Sequence, residues 1–120
     1  MFLREESTMK KINDQAIFDT VSEAGIGGDK IKRVIGTIRI SLARQAAKET
    51  DKKMLFDESG RMALEESLRI GAELTRSEAT NVVDIFRRKV KEQNDSEVQF
   101  LEEGTFEVDD QEIRYKPTSE

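Results

Sequence analysis

Apolar residues recur at intervals of three and four positions along much of the chain, a spacing that predicts four amphipathic helices. Asn13 is placed to cap the first helix, and the glycines at 25, 27 and 28 end it. Asp29 is placed to cap a longer second helix that reaches about Glu49. The apolar positions of this helix are Ile31, Val34, Ile35, Ile38, Leu42 and Ala46, and Ile40 and Ala43 widen the stripe. A helix that is apolar on more than one face needs more than one partner.

The third and fourth helices are predicted in the second half of the chain. The Ser59-Gly60 turn signal precedes helix three, which runs from about Arg61 to near Gly71. Thr75 and Glu78 have the spacing of a capping box and mark the start of helix four. Its buried face is predicted to be Ala79, Val82, Val83, Phe86 and Val90.

Strand-like alternation replaces the helical spacing after helix four. The alternating apolar positions are Val98, Phe100, Phe106, Val108, Ile113 and Tyr115. Gly104 is expected to break the first pair of strands and Asp109-Asp110 the second, while Met54 to Phe56 predict a short strand or a hydrophobic plug. The fold class is therefore α+β and mainly helical, with four helices and a small antiparallel C-terminal sheet.

The same pattern divides the chain into three parts. Residues 1–12 show no clear periodicity and are expected to be a loose leader. Residues 13–57 form a helical hairpin extension, and residues 58–120 form a helix-helix-sheet unit. At 120 residues the chain is one domain, or one domain and a small extension.

Composition argues against an enzyme. The chain contains no histidine and no cysteine, which removes the commonest general base and the thiolate ligands of metals. Metal binding at Asp109, Asp110 and Glu112 is a weak alternative, because a hairpin turn normally carries solvated acids. We therefore expect no catalytic site, no metal and no cofactor. No apolar run approaches the ~20 residues of a membrane span, so we expect a cytoplasmic protein without membrane contact.

The net charge of −5 is unevenly distributed. Residues 1–57 carry 11 Lys and Arg against 9 Asp and Glu, whereas residues 58–120 carry 9 against 16. Residues 92–113, which include the predicted sheet, hold nine acids and no base. Such a surface would repel phosphates.

Basic side chains on the helices are the candidate nucleic-acid contacts. They are Lys30, Arg33, Arg44 and Lys48 on or near helix two, and Arg87 and Arg88 near the end of helix four. Arg33, Arg44 and Lys48 can fall on one side of helix two and track a phosphate backbone. The alternatives are a solvated face on helix two and, on helix four, stabilisation of the helix C-terminus by its dipole.

Residues 74–117 resemble the histone-like HU and integration-host-factor family. The resemblance is carried by LTRSEA and VDIF in helix four, by VQFLEEGTFEV at 98–108 and by IRYKP at 113–117. Residues 61–71 occupy the place of the family's first helix, so the resemblance covers about 61–117. It implies a histone-like, DNA-binding fold.

The departures from this family concern its DNA-gripping parts. Only residues 109–112 stand where the family has its long arm, and Glu102-Glu103 replace a Gly-Phe pair. Insertion of an arm proline between base steps is therefore not expected. Residues 16–26 more weakly resemble the same helical hairpin opening, so the chain can hold two copies of the helix pair. The extra pair would then cover the surface that a second subunit covers, or extend a homodimer interface.

Three classes of function follow. The first is an arm-less DNA-associated protein, nucleoid-associated and homodimeric, which binds duplex DNA through its basic helical surface. The second is a phage or mobile-element type of factor whose acidic sheet imitates DNA or binds a basic DNA-binding protein, with Glu102, Glu103, Asp109 and Asp110 as contacts. The third is a non-enzymatic assembly component. The family resemblance favours the first.

Overall fold

The computed structural model describes residues 10–110 and 112–118, which form four α-helices and one five-stranded mixed sheet. In chain order the elements are β1 Lys10–Ile12, α1 Asp14–Glu23, α2 Ile31–Ala47, β2 Met54–Leu55, α3 Glu58–Gly71, α4 Arg76–Glu92, β3 Glu97–Phe100, β4 Gly104–Val108 and β5 Ile113–Pro117. The predicted α+β, mainly helical class is confirmed. No helix in these two ranges has both the length and the apolar character needed to cross a membrane.

The predicted C-terminal strands are antiparallel as expected, but the sheet is larger than predicted and mixed. Its order is β1-β3-β4-β5-β2, and β1 runs parallel to β3 while the other neighbours are antiparallel. Both edge strands come from the first half of the chain. The expectation of a loose leader therefore fails at Lys10–Ile12, where Ile12 is fully buried beside Phe100; residues 1–9 lie outside the described residues. A three-residue strand is too short to show a hydrophobic periodicity, so the local sequence does not predict it. Its pairing with β3 is what defines it as a strand.

Several helix ends follow local side-chain chemistry. The Asn13 side chain accepts a hydrogen bond from the Ala16 amide at 3.0 Å, as predicted for an N-cap. The capping box is also confirmed: the Thr75 hydroxyl accepts from the Glu78 amide at 3.1 Å, and Glu78 accepts from the Thr75 amide at 2.9 Å. These two caps satisfy backbone donors that the first turn of a helix leaves without partners.

Two other predicted starts were wrong. Asp29 does not cap α2, because a 3-10 turn at Gly28–Lys30 leads directly into the helix. Helix α3 begins three residues earlier than predicted, since the Asp57 side chain accepts from the Gly60 amide at 2.9 Å. Ser59 and Gly60 therefore lie in the first turn of α3. Gly60 is required there by packing, because a Cβ on it would lie 2.5 Å from the Leu55 carbonyl oxygen.

One hydrophobic core joins the helices to one face of the sheet. Helix α1 packs on α4, and α2 packs on α3. Phe86 from α4 meets the sheet residues Phe100 and Phe106 at ring-centroid distances of 5.7 Å each, and Phe56, after β2, lies 6.3 Å from Phe106. Residues 13–57 and 58–120 thus share a core and a sheet. Whether the first helix pair is a second copy of the other stays a prediction.

Candidate nucleic-acid interface

Acidic side chains of the sheet are largely paired with basic ones from elsewhere in the chain. Lys11 contacts Glu102 at 2.6 Å, Arg39 contacts Glu103 at 3.0 Å and Lys53 contacts Glu107 at 2.9 Å. All three bases belong to the first half. Bases of the first half of the chain therefore form ion pairs with acids of the second half. Glu102 and Glu103 each have a basic partner, so they do not form an unpaired acidic surface.

The four predicted partner-binding acids are not brought together. Glu102 and Glu103 lie in the turn between β3 and β4, whereas Asp109 and Asp110 lie at the other end of β4. The Asp109 carboxylate accepts a hydrogen bond from the Glu112 amide at 2.8 Å, which fixes the turn before β5. Two pairs of acids at opposite ends of a strand cannot act as one binding site for a small partner surface.

Three of the six candidate basic residues hold partners inside the chain. Arg33 contacts the Glu73 carboxylate at 3.1 Å, and Lys30 donates to the Glu73 carbonyl oxygen at 3.2 Å. Arg88 lies 2.7 Å from Glu23 and 3.4 Å from Glu92. A base held by an acid has less positive charge to offer an incoming phosphate.

The Glu23 contacts also join the two helix pairs. Lys89 donates to Glu23 at 2.7 Å, and Arg88 donates to its other oxygen at 2.7 Å. The hydrogen bond from Lys89 is the main cause that lowers the pKa of the Glu23 carboxyl below its ordinary value, and Arg88 adds to it. Arg88 is therefore a link between α4 and α1.

The other three candidates, Arg44, Lys48 and Arg87, have no carboxylate within 4 Å among residues 10–110 and 112–118. Lys91 also has no carboxylate within 4 Å among these residues. It lies one turn after Arg87 on the same side of α4. In the sequence, Arg87, Arg88, Lys89 and Lys91 together favour stabilisation of the helix C-terminus over a binding site, and Lys91 is not among the candidate nucleic-acid contacts. Its spacing from Arg87 was the signal that both side chains share a face.

These four cations lie on the two helices that flank α3, and Arg44 lines a cavity with Glu66 and Ser67 from the second half of α3. On one side, a Cβ on Gly60 would lie 3.4 Å from the Gln45 side chain, which places the end of α2, with Arg44 and Lys48, next to the first turn of α3. On the other side, Arg61 contacts Asp84 at 2.9 Å and places α4 there, with Arg87 and Lys91 following. We call Arg44, Lys48, Arg87 and Lys91 the basic end.

An apolar groove lies between α2 and α3. Ile40 is 54% exposed and Ile70 is 72% exposed, and both line a cavity of about 320 Å³ whose rim carries Arg44 and Glu66. Ser41 and Ser67 also line it and hydrogen-bond to each other at 3.2 Å. Ile40 extends the apolar surface of α2 into this groove, as the sequence predicted. Within the described chain, however, no element covers it.

No protein-family model, no curated protein and no solved structure matches this chain. Its function is therefore inferred from its own surfaces. Across the part of the chain that the structure describes, no three acidic side chains converge as a metal site would require. The basic end and the apolar groove are the two surfaces whose chemistry suggests a partner.

Proposed function

We propose that this protein is a non-enzymatic DNA-associated protein that contacts the phosphate backbone of duplex DNA through its basic end. The observation that supports this most is that Arg44, Lys48, Arg87 and Lys91, on the two helices that flank α3, have no acidic partners in the described ranges. Cations of this kind release condensed counterions when they meet phosphates, which is the main source of affinity in sequence-independent binding.

The mode of binding follows from what surrounds the basic end. The chain as a whole carries a charge of −5, so the remaining surface repels DNA and orients the protein with this end towards it. The resemblance to the histone-like family supports DNA as the ligand. Its arm is replaced by four residues at 109–112, so the proposed contact is with the backbone and does not kink the duplex.

Fluorescence anisotropy with a labelled duplex tests the proposal. We expect saturable binding at low salt that weakens steeply as salt is added, and loss of most of that binding in the fourfold alanine variant of Arg44, Lys48, Arg87 and Lys91. The matched control replaces four other exposed cations that lack carboxylate partners in the described chain, namely Lys10, Lys32, Arg76 and Lys116, and should bind nearly as well as the unmodified protein. Absence of binding at low salt, or equal loss in both variants, would contradict the proposal.

The apolar groove supports a second candidate function, self-association as a homodimer. Exposed Ile40 and Ile70 offer an apolar contact, and Arg44 and Glu66 lie on its two rims. A two-fold axis through the groove would place Arg44 of each copy near Glu66 of the other; Glu66 is exposed and contacts Arg69 of its own chain through Oε1 at 3.0 Å, so its second oxygen can face the partner's Arg44. Arg44 then belongs to both candidate surfaces. Exchanging the charges of Arg44 and Glu66 distinguishes DNA binding from self-association.

The acidic surface supports a partner less well. Glu102 and Glu103 are already paired with Lys11 and Arg39. A basic partner protein would have to displace these bases before it could bind the same carboxylates. A DNA-mimicking sheet is for this reason the weaker alternative.

A further inference from the structure

A cleft lies between α3 and α4 on one side of the basic end. Its volume is about 510 Å³, and it is lined by Arg61, Asp84, Arg87, Arg88, Lys91 and Glu92. Four bases and two acids make the lining net positive. The chain as a whole carries a net charge of −5, so this concave surface differs in sign from the chain's total charge.

Two buried donors in this cleft lack acceptors. The Nε atoms of Arg61 and Arg87 are shielded from solvent, and neither has a hydrogen-bond partner within the described residues. Buried N–H groups in folded proteins are nearly always hydrogen-bonded. The Nε–H groups of Arg61 and Arg87 therefore leave hydrogen-bonding capacity unused among the described residues.

Both acids of the cleft already have a basic partner within the chain. Asp84 accepts from Nη2 of Arg61 at 2.9 Å, and Glu92 lies 3.4 Å from Nε of Arg88. Glu23 of α1 contacts Nη2 of Arg88 at 2.7 Å. Among residues 10–110 and 112–118, Arg87 and Lys91 are the charges of this cleft that have no acidic partner, and they lie one turn apart on α4.

We propose that this cleft binds one phosphate group, with Arg87 as the principal ligand and Lys91 as a second charge. The guanidinium of Arg87 presents a planar fork of N–H donors that fits two phosphate oxygens, and Lys91 supplies a point charge beside it. Arg61 adds a third positive charge at the cleft, and its Nη2 donates to Asp84, which holds the guanidinium in place. That the phosphate belongs to a DNA backbone rests on the proposed function; a free phosphate has the same chemistry.

The Nε–H signals of the arginines, followed by NMR in the full-length protein, test the cleft directly. Inorganic phosphate and a short duplex are titrated separately, and the signals of Arg61 and Arg87 are expected to shift while that of Arg69, which is paired with Glu66, stays in place. Shifts with either titrant support the site. Shifts with the duplex alone assign it to a backbone phosphate, and shifts with inorganic phosphate alone assign it to a free phosphate.

Substitutions separate this inference from the proposed function. R87K keeps the charge and removes the fork, and K91A removes the second charge. Because a hydrogen bond to a charged group contributes about 1.5–3 kcal/mol, we expect each substitution to weaken duplex binding about tenfold or more. R69A is the matched control.

Two results overturn the cleft. If the unmodified protein binds the duplex but R87K and K91A bind it equally well and the Nε signals do not move, the cleft is not the site although DNA association stands. If neither titrant binds, both proposals fail. Thermal unfolding of R87K is measured alongside, and a loss of binding counts only when its midpoint matches that of the unmodified protein.

Discussion

Gly104 and Tyr115 are in direct contact across β4 and β5. A Cβ on Gly104 would lie 2.5 Å from Tyr115 Oη and 2.6 Å from the Lys116 carbonyl oxygen. Gly104 is the first residue of β4, and the turn before it is formed by residues 101–103, with Leu101 at φ +50°. The prediction that Gly104 itself breaks the strand pair was therefore wrong. The glycine of the GTFEV segment makes room for the only tyrosine of the chain.

Gly104→Ala should destabilise the protein. The added methyl group meets both a ring and a backbone oxygen, so the sheet has to shift, at a cost of about 1–3 kcal/mol. Gly36→Ala is the matched control: it lies within α2, and no side chain or neighbouring element comes within 4 Å of a Cβ there. It should stabilise the protein by about 0.5–1 kcal/mol, because alanine is the better helix former. Denaturant unfolding of both variants measures this, and a Gly104→Ala variant as stable as the parent would refute the contact.

Tyr115 predicts an alkaline limit to stability. Burial is the main cause that raises the pKa of its phenol above the ordinary value of 10.0, and the carboxylate of Glu103 adds to the effect. Above pH 10 the unfolded chain loses this proton and the folded protein keeps it. Stability from this group is thus complete below about pH 10 and falls by about 1.4 kcal/mol per pH unit above it.

The free energy of unfolding is measured against pH for the parent and for Tyr115→Phe. The two curves should diverge above pH 10, with the parent losing stability faster. Because the chain has one tyrosine, its tyrosinate absorbance should rise only together with unfolding. A rise in the folded protein near pH 10 would show that the phenol is accessible to water.

Glu23 predicts a change at acidic pH. Its contacts with Lys89 and Arg88 lower the pKa of its carboxyl below 4.5, so its contribution to stability is present above about pH 4.5 and is lost as the pH falls through the folded-state pKa. Glu23→Gln should be less stable than the parent at neutral pH, and the difference should shrink as the pH falls. Unfolding midpoints across this range provide the check, with Glu65→Gln as a control because Glu65 has no ion-pair partner among the described residues.

Local features of the fold were predictable from the sequence. The Thr75–Glu78 capping box and the buried face of α4 depend on residues three or four positions apart, and both are confirmed. The parallel pairing of β1 with β3 joins Lys10 to Val98, and nothing near Lys10 encodes a partner so far along the chain. The edge strand β1 was missed for that reason, whereas the other edge strand, β2 at Met54–Leu55, was predicted from its apolar run as a short strand or a hydrophobic plug.

Only part of the candidate site could be predicted from the sequence, for the same reason. The sequence identified the basic residues of α2 and α4, but not which of them have partners. Arg33 meets Glu73 and Arg88 meets Glu23, and these pairs depend on how the helices pack. The orphaned Nε atoms of Arg61 and Arg87 likewise exist only where α3 and α4 meet, so no spacing within either helix predicts the cleft.

A charge exchange between Arg44 and Glu66 separates the two uses of Arg44. R44E and E66R should each weaken self-association, because a two-fold contact then brings like charges together. The double variant should restore the dimer but not the DNA affinity that Arg44 provides. Sedimentation velocity measures the first property and anisotropy the second. Ile40→Ser together with Ile70→Ser removes the apolar contact, and a protein that is monomeric with and without these changes would rule out the groove as a dimer face.

The salt dependence of duplex binding tests the central claim most directly. For each phosphate that a cation of the basic end neutralises, the logarithm of the binding constant falls with the logarithm of the salt concentration by about 0.9. The double variant R87A/K91A loses the one phosphate that these two side chains hold, so it should show a slope shallower by about 0.9 than the parent, with weaker binding to every duplex sequence. A variant with the same slope and affinity as the parent would contradict the claim that this end of the protein binds DNA.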